Sequence, residues 1–203
     1  MIKIESLRKA FGEQVIFSDF SAEINDGEFV IISGRSGSGK TTLLNMIGFL
    51  EEYDSGRITV DGIELGEKKK QRDYFLNKVG FLFQNFALIE NKTVRQNLEI
   101  IKPSARSEYD IDTALRKVGL SDKADKKVYT LSGGEQQRVA LARLFLKKCD
   151  IILADEPTGS LDKDNAETVI RLLKELNKKG KTVIIVTHDE SIKNIVGARV
   201  INL

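Results

Sequence analysis

The segment GRSGSGKT at residues 34–41 constrains this chain more than any other part of it. It fits the pattern G-x-x-x-x-G-K-[ST], in which glycines let the backbone turn tightly and point several N–H groups at one anion. A continuous apolar stretch at 29–32 precedes it, and apolar residues at helical spacing follow at 41–49. A strand, a glycine-rich loop and a helix are the context that this pattern needs. The sequence therefore predicts a phosphate-binding loop, called the phosphate loop below.

A second segment, LSGGEQQR at residues 131–138, is predicted to open a helix and is called the Ser132 motif below. Ser132 and Glu135 have the S-x-x-E spacing of a capping box, which is a purely structural device. A capping box does not need Gly133 and Gly134, whereas two glycines permit a helix N-terminus to approach an anion closely. Nothing nearby in the sequence supplies that anion, so we expect it to be ATP bound to a second subunit.

Polar residues end three predicted buried strands, where α/β sheets bind their ligands. Asp155 and Glu156 follow residues 151–154, and we expect Asp155 to hold Mg²⁺ and Glu156 to polarise the attacking water. His188 follows the strand at 182–186, where it can contact the γ-phosphate and orient that water, although a lone histidine is more often structural. Gln84 follows the strand at 79–83 and can offer its amide oxygen to Mg²⁺.

Composition excludes several classes of protein. Among 203 residues, 41% are hydrophobic and 31% are charged, which is typical of a globular protein with a core. Lys and Arg total 32 against 30 Asp and Glu, and this net charge of +2 gives no basis for predicting nucleic-acid binding. The single cysteine, Cys149, allows no intramolecular disulfide and indicates a reducing compartment. The sequence shows neither a signal peptide nor a membrane span.

The pattern of elements predicts an α/β fold in one domain, residues 1–203. Antiparallel strands are expected at 2–7 and 15–24, and a hairpin at 56–65 that turns at Asp61-Gly62. Helices are expected at 68–77, 93–100, 107–118, 135–146 and 164–177. Because no strand is evident at 86–146, we interpret that segment as a helical subdomain inserted between core segments 1–85 and 147–203.

Taken in order, these motifs resemble those of the ATP-binding-cassette (ABC) ATPases, and the resemblance covers essentially the whole chain. The resemblance rests on the phosphate loop, Gln84, the Ser132 motif, the Asp155-Glu156 pair, residues 160–162 (Ser160, Leu161 and Asp162) and His188. Residues 79–84, 152–162 and 182–189 are most similar to ATPase subunits of lipoprotein-releasing, macrolide-export and bacteriocin-export transporters. The implied fold is a P-loop NTPase core with a mixed sheet, an N-terminal antiparallel β subdomain and the inserted helical subdomain.

The resemblance implies a head-to-tail homodimer with ATP between the subunits, attached through an integral membrane permease to the cytoplasmic face of the membrane. Glu156, His188 and Gln84 are expected to be catalytic, and Thr41, Gln84 and Asp155 to bind Mg²⁺. The residues expected to bind ATP within one subunit are Phe11, Gly34, Arg35, Ser36, Gly37, Ser38, Gly39, Lys40, Thr41 and Thr42. Those expected to bind the ATP of the other subunit are Ser132, Gly133, Gly134, Glu135 and Asp162.

Two departures and two alternatives accompany this interpretation. Phe11 replaces the commoner tyrosine, so stacking on adenine is kept and a hydroxyl contact is lost; a core phenylalanine is the competing interpretation. Glu135 stands where glutamine is also common in the family.

Two alternative functions remain open. The first is a non-transport ABC ATPase that regulates a cell-division or envelope complex, and the second is a small-molecule kinase. In such transporters the membrane subunit, and often an adaptor protein, determines the substrate.

Overall fold

Two sheets form the framework of the protein in a computed structural model that describes residues 1–66, 68–159, 161–189, 192 and 198–203. The strands are β1 (Ile2–Phe11), β2 (Gln14–Ile24), β3 (Phe29–Ser33), β4 (Ser55–Val60), β5 (Ile63–Glu64), β6 (Val79–Leu82), β7 (Ile151–Asp155), β8 (Thr182–Thr187) and β9 (Arg199–Asn202). One sheet has the order β2-β1-β4-β5 and is antiparallel, and the other has the order β6-β7-β8-β3-β9 and is parallel. The predicted α/β class is confirmed. The antiparallel strands form one sheet and the parallel strands form the other.

The three central strands of the parallel sheet, β7, β8 and β3, are buried on both faces, as their continuous apolar residues predict. The whole of β8 is buried, as are the first four residues of β7 and the last four of β3. One apolar cluster covers one face with helices from the second half of the chain, and another fills the space between the opposite face and the antiparallel sheet. The glycine-rich loop and the acidic pair are therefore attached to a rigid support.

The helices agree with the predicted pattern in number and order up to residue 178, with local differences. They are α1 (Lys40–Ile47), α2 (Lys68–Asp73), α3 (Val94–Glu99), α4 (Ile111–Lys117), α5 (Gly133–Leu146) and α6 (Lys163–Lys178). Helix α2 continues as a π-turn at Tyr74–Lys78. The predicted start of α4 at residue 107 is wrong, because the Asp110 carboxylate accepts a hydrogen bond from the Thr113 N–H at 2.6 Å and caps the helix there.

Residues 86–146 carry helices and short 3₁₀ turns, with isolated bridges between Thr93 and Lys127 and between Arg106 and Lys147. Helix α5 packs on both this segment and the sheet, because Gly80 of β6 lets it approach: a Cβ at Gly80 would lie 2.8 Å from Leu144 Cδ2. One apolar cluster is consequently continuous from α3 and α4 through α5 to β7. Among the residues that the structure describes, none of the helices combines the length and apolar composition needed to cross a membrane.

Close packing at the end of α1 generates a stability prediction. A Cβ at Gly48 would lie 2.4 Å from Phe81 Cζ and 3.0 Å from Leu153 Cδ1, so Gly48→Ala forces the ring or the helix to move. We expect it to lower the free energy of unfolding in urea by about 1–3 kcal/mol, as overpacked cores do. Gly133→Ala is the matched control, because a Cβ there meets nothing within 4 Å. Equal stabilities for the two variants would contradict this packing.

Candidate ATP-binding site

Parallel pairing brings three groups of polar residues to one edge of the sheet. In register, Ser33 of β3 lies beside Thr187 of β8, and Val186 of β8 lies beside Asp155 of β7. Each of these strands ends at this level, so the phosphate loop, the acidic pair and His188 begin side by side. The carboxyl edge of a parallel sheet is where α/β folds bind ligands.

A cleft of about 520 Å³ opens at this edge. Its lining comes from β1, β2, the phosphate loop, α1 and the ends of β6, β7 and β8. The lining residues are Phe11, Gln14, Ile16, Ser36, Gly37, Gly39, Lys40, Thr41, Thr42, Gln84, Glu156 and His188. Most of the residues predicted for ATP binding within one subunit therefore share a single cleft with the predicted catalytic residues.

The phosphate loop is closed around the side chain of Lys40, which is 8% exposed. The Lys40 Nζ donates hydrogen bonds to the carbonyl oxygens of Gly34 and Arg35, both at 2.9 Å. Gly34 and Arg35 thus contribute carbonyls and do not line the cleft, and the Ser38 hydroxyl is buried behind the loop. Gly39 has φ +92, and a Cβ there would lie 2.3 Å from Ile16 Cγ2. Glycine at this position is therefore required by packing against β2 as well as by the turn.

Thr41 and Asp155 meet at the floor of the cleft. The Thr41 hydroxyl donates to Asp155 Oδ1 at 3.0 Å. Burial raises the pKa of Asp155, and the nearby Glu156 adds to that rise, while the Thr41 hydrogen bond and the Lys40 charge oppose it. With the Gln84 amide, this set offers only hard oxygen ligands, which suit Mg²⁺. The described residues contain no cluster of three His, Cys, Asp or Glu side chains that could hold a metal ion by themselves.

Glu156 is held in a single orientation by the residues that follow β8. Its Oε2 accepts a hydrogen bond from the Thr187 hydroxyl at 3.0 Å, and its Oε1 accepts from the His188 backbone N–H at 3.2 Å. His188 Nδ1 lies 2.7 Å from the same Oε1, within hydrogen-bond distance. Glu156 also has φ +43, a left-handed conformation that is rare for this residue type. The backbone strain and the hydrogen bonds together aim the carboxylate into the cleft.

Thr187 is a functional candidate that sequence reasoning missed. Its hydroxyl accepts a hydrogen bond from the Asp189 N–H at 3.0 Å, which directs its own proton to Glu156. The sequence could have indicated Thr187, because it places a hydroxyl at the end of a predicted buried strand, one residue before His188. The sequence also did not identify Gln14 and Ile16 as lining residues.

Gln84 and Phe11 both line the cleft. Gln84 is exposed just after β6. Phe11 is the last residue of β1, which extends beyond the predicted strand at 2–7, and it is 49% exposed, which argues against the alternative of a core phenylalanine. The Lys9 ammonium lies 4.5 Å from the centre of the ring.

The residues expected to act in the other subunit lie away from this cleft. As far as the chain is described, the cleft lining includes none of residues 132–135 and not Asp162. The predicted capping box is present: the Ser132 hydroxyl accepts from the Glu135 N–H at 3.3 Å, and Glu135 Oε2 accepts from the Ser132 N–H at 2.9 Å. Asp162 caps α6 by accepting from the Asn165 N–H at 2.9 Å. Ser160 falls outside the described residues.

Gly133 and Gly134 of the Ser132 motif differ in how closely neighbouring atoms pack against them. A Cβ at Gly134 would lie 2.6 Å from the side chain of Asn165, so packing of α5 on α6 explains that glycine. A Cβ at Gly133 meets nothing within 4 Å. Packing therefore accounts for Gly134 but not for Gly133, and the role of both glycines at an external anion stays a prediction.

The raised pKa of Asp155 generates a pH-dependent prediction. Because the folded-state pKa lies above that of the unfolded chain, ionised Asp155 destabilises the fold at neutral pH. This cost disappears as the pH falls through the raised pKa towards the ordinary value. We expect Asp155→Asn to unfold at a higher temperature than the wild type at pH 7.5, with a smaller difference near pH 4.

The control for this measurement is Asp122→Asn, which removes one charge at an exposed position. Thermal unfolding of both variants, without nucleotide, separates burial of the carboxylate from a general charge effect. An Asp155→Asn variant that is less stable than the wild type at pH 7.5, or a difference that does not depend on pH, would contradict the assignment.

Comparisons with known proteins agree with this geometry. Residues 17–159 match the family model described as ABC transporter. The lipoprotein-releasing system ATP-binding protein LolD of Bacteroides thetaiotaomicron is 41% identical, and the alignment covers 96% of this chain and 93% of that protein. The arginine transport ATP-binding protein ArtM of Bacillus subtilis is 38% identical over 99% of this chain and 86% of its own length.

Longer relatives match over only part of their length. The macrolide export ATP-binding/permease protein MacB of Mannheimia succiniciproducens is 40% identical over 95% of this chain, which spans 32% of that protein. Among solved structures, the dimeric post-hydrolysis state of the ATP-binding cassette MJ0796 bound to ADP and Pi has a TM-score of 0.86. It is 37% identical, and the match covers 100% of this chain and 94% of that chain. With its fold, its cleft and its relatives in agreement, this chain belongs to the ABC transporter family as one of its ATPase cassettes.

Proposed function

We propose that this protein binds Mg-ATP between two copies of the chain and that hydrolysis there drives a separate membrane permease of the export type. The proposal rests on one observation: the predicted ATP-site residues lie at two separate places on the same chain. The phosphate loop, Asp155, Glu156, His188 and Gln84 share one cleft edge, whereas the Ser132 motif lies outside that cleft. A second copy placed head to tail supplies the missing part.

ATP binding within one copy begins at the phosphate loop. Lys40 exchanges the carbonyls of Gly34 and Arg35 for β- and γ-phosphate oxygens, so its buried charge keeps polar partners. The N-terminus of α1 adds its positive dipole end to the same phosphates. Phe11 stacks on the base at the exposed rim. Thr41 and Asp155, with Gln84, would hold Mg²⁺, which would supply positive charge to the phosphate oxygens.

Hydrolysis then depends on Glu156 acting on water. Thr187 and the His188 backbone hold its carboxylate in place, and general bases of this kind contribute typically about 10²–10⁴-fold to the rate. The His188 side chain is 69% exposed, which leaves space for it to turn. It can leave Glu156 for the γ-phosphate while Thr187 keeps the carboxylate oriented.

The second copy places Ser132 and Gly133 against the γ-phosphate, at the N-terminus of α5. Gly133 has open space at its Cα, which an approaching phosphate can use. Glu135 and Asp162 lie beside that surface; Asp162 reaches the partner across the interface. The dimeric state of the related cassette bound to ADP and Pi supports this arrangement.

The permease is the partner that converts hydrolysis into transport, and it holds the cassette at the cytoplasmic face of the membrane. The similarity to a lipoprotein-releasing ATP-binding protein of nearly the same length supports export of lipoprotein, peptide or drug. Macrolide-export proteins that are partly covered by this chain support the same branch. A role in regulating a cell-division or envelope complex is the alternative; no contact in the structure favours it.

Glu156→Gln tests the shared site most simply. The variant keeps the size of the side chain and one acceptor oxygen but loses the base, so ATP stays bound and the dimer accumulates. We expect a monomer without nucleotide and a dimer with Mg-ATP in size-exclusion chromatography with light scattering.

The double variant Glu156→Gln with Ser132→Arg is the control, because the added side chain blocks the approach of the partner's phosphate. We expect it to remain a monomer in Mg-ATP. A Glu156→Gln protein that hydrolyses ATP at the wild-type rate would remove Glu156 from the role of base, and a double variant that still dimerises would remove Ser132 from the interface.

A further inference from the structure

Arg143 holds the turn that follows β6, although it lies in the last turn of α5. Its guanidinium donates to the carbonyl oxygen of Ala87 at 2.6 Å and to that of Phe86. Phe86 has φ +61 and Ala87 has φ +48, so two successive residues that disfavour the left-handed region adopt it. Backbone in this conformation persists only where surrounding contacts impose it. Arg143 supplies such a contact.

The guanidinium makes these bonds from a largely buried position. Burial lowers the pKa of Arg143 to about 10, so the side chain is still charged at neutral pH. In the described part of the chain no carboxylate pairs with it, and the carbonyl oxygens of the turn are its acceptors. A buried cation whose partners are backbone carbonyls strongly opposes any movement of those carbonyls.

The rest of the turn is also attached to the helical segment and not to the sheet. The side chain of Asn97, fully buried in α3, accepts from the Ile89 N–H at 2.8 Å and donates to the Ile89 carbonyl at 3.0 Å. Residues 84–89, called the Gln84 turn, are therefore held at both Phe86-Ala87 and Ile89 by helices. Gln84 itself begins this turn at the cleft.

We infer that Arg143 is a positioning residue for Gln84, which fixes the Gln84 turn to α5 and thereby links the placement of Gln84 to the helix that begins at Ser132. This inference rests on the proposed role of Gln84 at Mg²⁺. Helix α5 is close enough to act as the rigid connection, because it packs on Gly80 of β6. Movement of its N-terminus towards a partner's ATP pulls on the Gln84 turn through the bonds from Arg143.

Lys147 provides a matched control on the same helix. Just beyond α5, its Nζ donates to the carbonyl oxygens of Phe75 and Leu76, at 2.6 and 3.0 Å. These residues precede β6, whereas the Gln84 turn follows it. Lys147→Met therefore removes an equivalent contact between a cation and carbonyls on the side of β6 that does not lead to Gln84.

The first test is amide hydrogen exchange of the full-length protein without nucleotide. We expect Arg143→Met to raise exchange in residues 84–89 roughly tenfold or more and to leave residues 74–78 near the wild-type rate. Lys147→Met should give the reverse pattern. Unchanged exchange at 84–89 in Arg143→Met, or equal increases in both segments for both variants, would overturn the inference.

The second test is a Mg²⁺ titration of ATP hydrolysis for Arg143→Met, Lys147→Met and Gln84→Ala. We expect Arg143→Met and Gln84→Ala to lower kcat and to raise the Mg²⁺ concentration for half-maximal rate several-fold, with ATP binding retained. Lys147→Met should keep the wild-type Mg²⁺ requirement. If Arg143→Met does not fold, Arg143→Lys keeps the charge with a single donor group and should give intermediate values.

The outcomes separate this inference from the proposed function. If Gln84→Ala leaves the Mg²⁺ requirement unchanged, the proposed role of Gln84 is wrong, whatever Arg143 does. If Gln84→Ala raises the requirement and Arg143→Met does not, Gln84 acts as proposed and the inference about Arg143 is wrong.

Discussion

The in-register parallel pairing of β3, β7 and β8 determines where the groups of the ATP site lie relative to one another. Ser33 beside Thr187 and Val186 beside Asp155 place the phosphate loop, the acidic pair and His188 at one level. A shift of one residue in β7 would turn Asp155 away from Thr41 and move Glu156 out of reach of Thr187. The burial of these strands on both faces holds that register, so the core and the chemistry depend on the same residues.

Sequence patterns predicted what is encoded locally. The glycine spacing of residues 34–41, the capping box at Ser132 and Glu135, and the polar ends of buried strands each depend on neighbours in the chain. The contacts that the sequence did not predict join distant segments: Thr187 with Glu156, and Arg143 with Ala87. A basic residue in an apolar helix end has many possible acceptors, and only the folded chain selects among them.

Helix α5 connects the two halves of the proposed mechanism. Its N-terminus carries the Ser132 motif, while the buried Gln137 near that end donates to the Pro157 carbonyl at 2.9 Å, directly after Glu156. Its C-terminal turn holds the Gln84 turn through Arg143. Because the helix is hydrogen-bonded near both ends to segments that carry site residues, a displacement of the helix also displaces those segments. We therefore expect the binding of a partner's ATP at Ser132 to change the positions of Glu156 and Gln84 in the same chain.

The central claim is that each ATP site is built from two copies of the chain, and mixing two inactive variants tests it most directly. Ser132→Arg lacks a working Ser132 motif, and Glu156→Gln lacks the base, so each protein alone should hydrolyse ATP very slowly. A mixed head-to-tail dimer regains one intact site, from the phosphate loop and Glu156 of one chain and Ser132 of the other. The account predicts that equal mixing raises the rate well above that of either variant alone, since each mixed dimer has one intact site of two. A mixture no more active than its components would contradict it.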